Sequence, residues 1–251
     1  MTKRILLIAI LLIFPQHIFS QIMTIYSQNG QLQQFQISEI DSIIFASTVG
    51  TLKWLGHASV KIKTNSGIVI YIDPFAGTDY SEPADLILVS HGHSDHNQVN
   101  KVTKKVDCQI FSGMGANVGG TKMAAGDSTE AKGIKIKAVE AYNSNHPKGT
   151  GVGFVLEIDS VKIYHCGDTS KIPEMAQLEP FQLNYALLCI DGVYNMGPIE
   201  AMEAAEMIKA RKVIPIHVAP SNATEEQKQQ NIDKFNPPNK LIMKEGDTIY
   251  L

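Results

Sequence analysis

The segment Ser90-His91-Gly92-His93-Ser94-Asp95-His96 places three of the chain's eight histidines and one carboxylate within six residues. Imidazole is poorly suited to an apolar core unless it is hydrogen-bonded, and solvated loops have little need of it. Neutral imidazole and carboxylate are metal ligands. On a turn that leaves a strand, residues i and i+2 can face one pocket while i+4 and i+5 face its neighbour. That suits two adjacent cations better than one structural zinc ion enclosed by four ligands. The same residue types recur just past apolar runs: His146 in Asn143-Ser144-Asn145-His146, Asp168 in His165-Cys166-Gly167-Asp168, and His217 in Ile214-Pro215-Ile216-His217. Imidazole and carboxylate without thiolate suit Zn²⁺, with Mn²⁺ and Fe²⁺ as compatible alternatives.

The elements that must position these residues are legible as apolar runs and turn signals. Leu86 to Val89 reads as a short buried strand that delivers the cluster. Val60–Lys63 and Ile68–Ile72 flank Asn65-Ser66-Gly67 as a hairpin, and Gly153–Ile158 and Val161–Tyr164 flank Asp159-Ser160 in the same way. Ile134 to Val139 alternates as a half-exposed strand should. Ala186–Ile190 and Val213–Ile216 are further apolar strands. Gly197-Pro198 opens a helix to about Ala210, with Pro198 at its first position. A second helix is expected near Thr224–Phe235 and closing strands around Gly246-Asp247. Mixed strands and helices in two similar-sized halves predict a layered α/β sandwich.

The first twenty residues stand apart. Lys3 and Arg4 precede the apolar run Ile5–Phe14, and Ser20 offers a small residue for cleavage, which reads as a secretory signal peptide rather than a membrane span. The expected location is periplasmic or secreted, with no stable membrane insertion after cleavage. Residues 21–50 form a separate short segment in which Asn29-Gly30 lies between two alternating stretches, a hairpin signal. This segment resembles one often found just after the signal peptide in exported Bacteroidetes proteins. Cleavage after Ser20 removes two basic and no acidic residues, taking the formal net charge from −3 to −5. An acidic balance without a basic patch argues against nucleic acid as a partner and points to a small-molecule substrate. Cys108, Cys166 and Cys189 are too few for a disulfide framework. Cys166 and Cys189 end apolar runs and are expected as buried thiols, with one disulfide open to them if their strands are adjacent.

From residue 51 onward the chain resembles the metallo-β-lactamase superfamily, in the branch of metal-dependent hydrolases related to L-ascorbate-6-phosphate lactonase. The matching pieces are Trp54-Leu55-Gly56-His57-Ala58-Ser59, Tyr71-Ile72-Asp73-Pro74, the histidine cluster, Ala141–Gly149, Gly167-Asp168-Thr169 and Ile214-Pro215-Ile216-His217. The resemblance implies a four-layer αββα sandwich with metals at one edge between two sheets. It also implies that His91, His93 and His146 hold a first metal, that Asp95, His96 and His217 hold a second, and that Asp168 bridges them. Two such ions lie about 3.5–4 Å apart and share a water that serves as a bridging hydroxide nucleophile. Asp95 would help orient that nucleophile, so Asp95 and Asp168 are the expected catalytic residues. Histidine rather than glutamate at position 93 leans towards hydrolysis and away from redox di-iron relatives.

The expected function is an exported binuclear hydrolase of a small ester, lactone, amide or phosphodiester. Two alternatives remain: a non-catalytic surface or interaction protein on a retained scaffold, and a β-lactamase-type antibiotic hydrolase. Asp73 is expected to orient a ligand histidine from behind, and His165 to be structural. His57 is divided between lining the pocket and a structural hydrogen bond. Tyr142, Asn143, Lys148, Tyr194 and Asn195 are candidate substrate contacts. Where relatives often carry Ile-Gly-Gly, this chain has Ile190-Asp191-Gly192, which places an extra carboxylate near the expected metal edge. The glycine-rich stretch 113–120 lacks the Lys-Ser/Thr ending of a phosphate loop.

Overall fold

The computed structural model describes residues 22–26, 32–36 and 48–251. The expected signal peptide and the Asn29-Gly30 turn lie outside the described residues. Strands β1 (Ile22–Tyr26) and β2 (Leu32–Gln36) pair antiparallel, Met23 opposite Phe35, so the hairpin signal is realised in the strands on either side of it. Residues 48–251 form a separate compact unit.

That unit contains two large sheets. The first runs through β3 (Gly50–Gly56), β4 (Ser59–Thr64), β5 (Val69–Ile72), β6 (Ala84–Val89), β7 (Lys104–Gly113) and β8 (Thr121–Met123). β15 (Thr248–Tyr250) closes its other edge beside β3. The second is ordered β14–β13–β12–β11–β10–β9, with β9 at Ser128–Ala131, β10 at Ile134–Ala141, β11 at Gly151–Ile158, β12 at Val161–His165, β13 at Tyr185–Cys189 and β14 at Lys212–Ile216.

Side-chain alternation explains the layers. In β6, Leu86 and Leu88 enter the main core between the sheets. Ile87 and Val89 turn to a smaller core on the other face, with Tyr71, Tyr80 and Val102. A strand buried on both faces must be apolar throughout, as 86–89 is. β10 instead alternates buried Ile134, Ile136 and Ala138 with more exposed lysines. Helix α1 (Pro198–Ile208) buries Ala201, Ala204, Ala205 and Ile208, one face at three- and four-residue spacing, in the main core. Helix α2 (Glu225–Lys234) starts at a Thr224/Gln227 capping box. A 3₁₀ helix spans Pro173–Phe181. The smaller core is covered by loops and the short 3₁₀ turn Val99–Lys101, so that outer layer is thin. Glu245 and Gly246 form a turn closed by the Asp247 amide on the Lys244 carbonyl, and the closing strand begins only at Thr248. No helix among the described residues is long and apolar enough to cross a membrane. Cys166, just past the end of β12, and Cys189, at the end of neighbouring β13, are free, buried thiols, the Cys189 amide donating to Cys166 Sγ at 3.2 Å.

Candidate metal centre

Each site residue sits where a strand gives out: His57 after β3, Asp73 after β5, His91 after β6, His146 beyond β10, Asp168 after β12, Asp191 after β13 and His217 after β14. The two sheets meet here directly, the His217 amide donating to the His57 carbonyl at 2.8 Å. His57, Asp73 and His217 have φ of +48°, +46° and +43°. Such left-handed backbone costs a non-glycine residue free energy and is typically retained where the side chain is needed at a functional site. Two glycines let the backbone close around the ligands. A Cβ on Gly92 would lie 2.5 Å from the Gly115 carbonyl oxygen, and one on Gly167 2.8 Å from that of Val152.

The structure brings all seven expected ligands together. His91 Nε2 and His146 Nε2 each lie 3.1 Å from His93 Nδ1. Nitrogens around a tetrahedral zinc ion, at ~2.0–2.1 Å from the metal, are about 3.3 Å apart. His96 and His217 group with Asp95 and with His57. Asp168 stands between the groups: its Oδ1 is 3.2 Å from His96 Nε2, and its Oδ2 is 3.3, 3.6 and 3.8 Å from Nε2 of His146, His217 and His91.

Proton accounting tests whether a cation fits. Ser90 Oγ donates to Asp73 Oδ2 at 2.6 Å, so its oxygen accepts from His91 Nδ1 at 2.9 Å. Asp73 Oδ2 accepts from His96 Nδ1 at 2.8 Å, and Asn143 Oδ1 from His146 Nδ1 at 2.8 Å. Three Nδ1 protons are thereby committed to groups behind the rings, and three Nε2 atoms face inward. His93 Nδ1 can give its one proton to only one of the two Nε2 atoms beside it, so lone pairs converge without a donor. His96 Nε2 and Asp168 Oδ1 are buried and lack any hydrogen bond. Converging buried lone pairs, each aimed by a partner behind it, fit divalent cations.

The electrostatics agree. Burial, helped by the His96 charge, pushes His91 down to about 3. Burial also lowers His217 to about 4, despite Asp168. Burial would lower His96 too, but Asp168 and Asp73 outweigh it and hold that imidazole well above its ordinary value. Burial opposes ionisation of Asp168, yet His96 and His217 keep it well below the carboxylate range. Neutral His91 and His217 with an anionic Asp168 are in the states that ligation requires, while His96 must give up its Nε2 proton to an ion.

These shifts set the pH dependence of the ion-free protein. His91 and His217 remain neutral when folded but take up protons when unfolded below about pH 6.5, so stability falls from pH 6.5 towards 4. The His96 contribution has the opposite sign, being complete below pH 6.5 and lost as pH rises towards its raised folded value. Urea unfolding of chelator-treated protein should show maximal stability near pH 6.5. A flat profile from pH 4 to 8 would contradict this charge arrangement.

Among the other sequence candidates, Asp73 supports His96 and Ser90 as expected. His165 is structural: its Nε2 faces the Ala58 carbonyl at 2.8 Å and its Nδ1 accepts from the Gly167 amide. His57 Nε2 lies 3.2 Å from Asp95 Oδ2, and its ring packs 3.6 Å from that of His217, so it belongs to the centre itself. A cavity of about 180 Å³ opens at the ligands, lined also by Tyr194 and Asn145. Of the five proposed substrate contacts only Tyr194 lines it. Lys148 and Tyr142 are both tied to Glu174, at 2.6 and 3.1 Å, while Asn143 and Asn195 are committed to neighbouring side chains. A larger groove of about 670 Å³, walled by Trp54, Phe75, Ile242 and Met243, reaches the centre at His57.

Comparison with known proteins yields a consistent set of relatives. Residues 51–217 match the family described as the beta-lactamase superfamily domain. A UPF0173 metal-dependent hydrolase of Thermococcus onnurineus is 35% identical over 188 residues, covering 66% of this chain and 83% of that protein. Another from Methanoregula boonei is 35% identical over 185 residues, covering 66% and 81%. Among solved structures, a candidate metal-dependent hydrolase from Parabacteroides distasonis superposes with a TM-score of 0.63 at 24% identity, covering 91% of this chain and all of the other. The metallo hydrolase Igni18 from Ignicoccus hospitalis gives 0.61 at 23% identity, covering 80% and 98%.

Proposed function

The chain belongs to the metallo-β-lactamase superfamily as a metal-dependent hydrolase, and from that premise we propose that it uses two divalent ions, Zn²⁺ foremost, to hydrolyse a small ester, lactone, amide or phosphodiester outside the cytoplasm. One observation carries the binuclear reading: Asp168 stands between two groups of candidate ligands, His91, His93 and His146 on one side and Asp95, His96 and His217 on the other. His91, His93 and His146 would hold one ion, Asp95, His96 and His217 the other, with Asp168 shared. When bound, the ions supply an acidified water and polarise the oxygen under attack.

The chain's own residues do the rest. Asp95 is held ionised by the His57 hydrogen bond and the His96 charge, against the opposing effect of burial. With a partly exposed carboxylate at the cavity wall, it can accept a hydrogen bond from the attacking water and orient it. His57, fixed by its own backbone and by the His217 ring, keeps Asp95 turned inward. Tyr194, half exposed at the mouth, is placed to meet the substrate. Lys148, two residues past His146, is paired with Glu174 and Glu140 rather than free to meet a phosphate. This favours neutral or singly charged substrates. The export reading rests on the basic and apolar start of the sequence.

Metal analysis of protein prepared without chelator should find close to two divalent ions per chain. The loaded protein should turn over at least one class in a screen of lactones, carboxylic esters, phosphodiesters and β-lactams. One ion or none would sink the binuclear reading, and two ions with no turnover would favour a retained scaffold.

A further inference from the structure

Behind three of the ligand rings stands an acceptor for the outer proton: Ser90 for His91, Asp73 for His96, Asn143 for His146. A fourth ring, His217, turns its Nδ1 towards Asp191 Oδ2 at 3.3 Å. As placed, the pair is not aligned as a hydrogen bond, and Nδ1 is a buried nitrogen without a partner. Asp191 is itself 3% exposed and otherwise fully engaged. Its Oδ1 accepts the backbone amides of Val193, Tyr194 and Asn195 at 2.8, 2.6 and 3.3 Å, and its Oδ2 accepts Asn195 Nδ2 at 2.9 Å. Asn195 Oδ1 then accepts Asn143 Nδ2 at 3.1 Å, and Asn143 Oδ1 holds His146. A hydrogen-bonded chain thus runs from Asp191, which His217 faces in one half of the centre, through Asn195 and Asn143 to His146 in the other.

We propose that Asp191 is a positioning residue with two separable tasks: Oδ2 fixes the His217 ring with Nδ1 protonated and Nε2 offered to the second ion, and Oδ1 holds the 193–195 backbone so that Tyr194 stays over the mouth. The proposal rests on the binuclear reading above. An anionic acceptor behind an imidazole sets its tautomer and raises its basicity, and loss of such a partner typically weakens metal binding about 10–100-fold. Asp191→Asn separates the tasks. Its amide oxygen can still accept the three backbone amides, but an amide NH₂ in place of Oδ2 can accept neither the His217 proton nor Asn195 Nδ2; the Asn195 amide can turn over to accept from it, while Asn143 keeps its bond to the Tyr194 carbonyl and its hold on His146. Asp191→Gly removes both functions.

The test is zinc titration of chelator-stripped protein against a chromophoric competitor, with amide hydrogen exchange read over residues 193–195. Wild type should bind two ions. Asp191→Asn should keep the affinity of the first, lose about tenfold or more in the second, and retain amide protection. Asp191→Gly should lose both the second-ion affinity and the protection. Equal affinities in wild type and Asp191→Asn would overturn the proposal, as would equal losses at both ions. If wild type bound only one ion, the binuclear reading would fail. Asp191 would still be judged in wild-type protein by nitrogen NMR of the His217 ring: Nδ1 protonated supports it, and Nε2 protonated overturns it.

Discussion

Replacing Asp168 with asparagine is expected to abolish hydrolysis and to lower the metal content below two ions per chain, in a protein that remains folded. Asp168 is the carboxylate that reaches both halves, 3.2 Å from His96 and 3.3 Å from His146, and it is 5% exposed. Its anionic state arises from the site, since neighbouring imidazoles overcome the burial that would otherwise neutralise it. Asparagine keeps the volume but removes the charge and leaves one oxygen where two faced two groups. Loss of a group that only supports a ligand costs about 10–100-fold, and loss of the shared ligand should exceed that range. Elemental analysis and turnover of bis(p-nitrophenyl) phosphate and p-nitrophenyl acetate would measure it. A variant with two ions and full activity would show that Asp168 does not join the halves. His96 provides a second signature: without Asp168 it keeps only Asp73 to hold its proton, and its titration should move down.

The candidate ligands are legible in sequence because metal chemistry restricts residue type and the strands announce themselves. His91, Asp168 and His217 each follow an apolar run, and an apolar run in a sandwich is a strand buried by two layers, as Ile87 and Leu88 show on opposite faces of β6. The residues behind the ligands were less legible. Asp73 could be anticipated from its place after β5, but Ser90 and Asn143 are ordinary polar residues whose roles depend on distances of 2.8–2.9 Å that no spacing encodes. His57 stayed divided because its direction is set by a left-handed backbone at φ +48°, which alternation does not anticipate. Lys148 and Tyr142 looked available for substrate until Glu174, distant in sequence, occupied both. Type and local period are local properties, whereas partner and direction are properties of the packed chain.

Loading the stripped protein with zinc is expected to raise its melting temperature by about 15–30 °C at neutral pH. A ligand at ~1,000 times its Kd that binds only the folded state adds about 4.1 kcal/mol, so two give about 8 kcal/mol. For a chain of this size each kcal/mol moves the midpoint by ~2–4 °C. The centre is suited to so large a coupling because its ligands come from the ends of β6, β10, β12 and β14, which belong to both sheets, so opening either sheet dismantles it. The pH dependence has a definite sign. Without ions, His96 is held protonated well above its ordinary value by Asp168 and Asp73, and an ion taking its Nε2 must displace that proton. The gain on loading should therefore grow with pH through neutrality, by about 1.4 kcal/mol per unit for each proton released. His91 and His217, already neutral in the folded stripped protein, give up no proton to an ion; below pH 6.5 they lower the stability of stripped and loaded protein together and leave the gain unchanged. Calorimetric scans with zinc and with chelator at pH 6, 7 and 8 would measure both effects. A gap of only a degree or two at pH 8 would mean that His91, His146 and His96 do not take up metal.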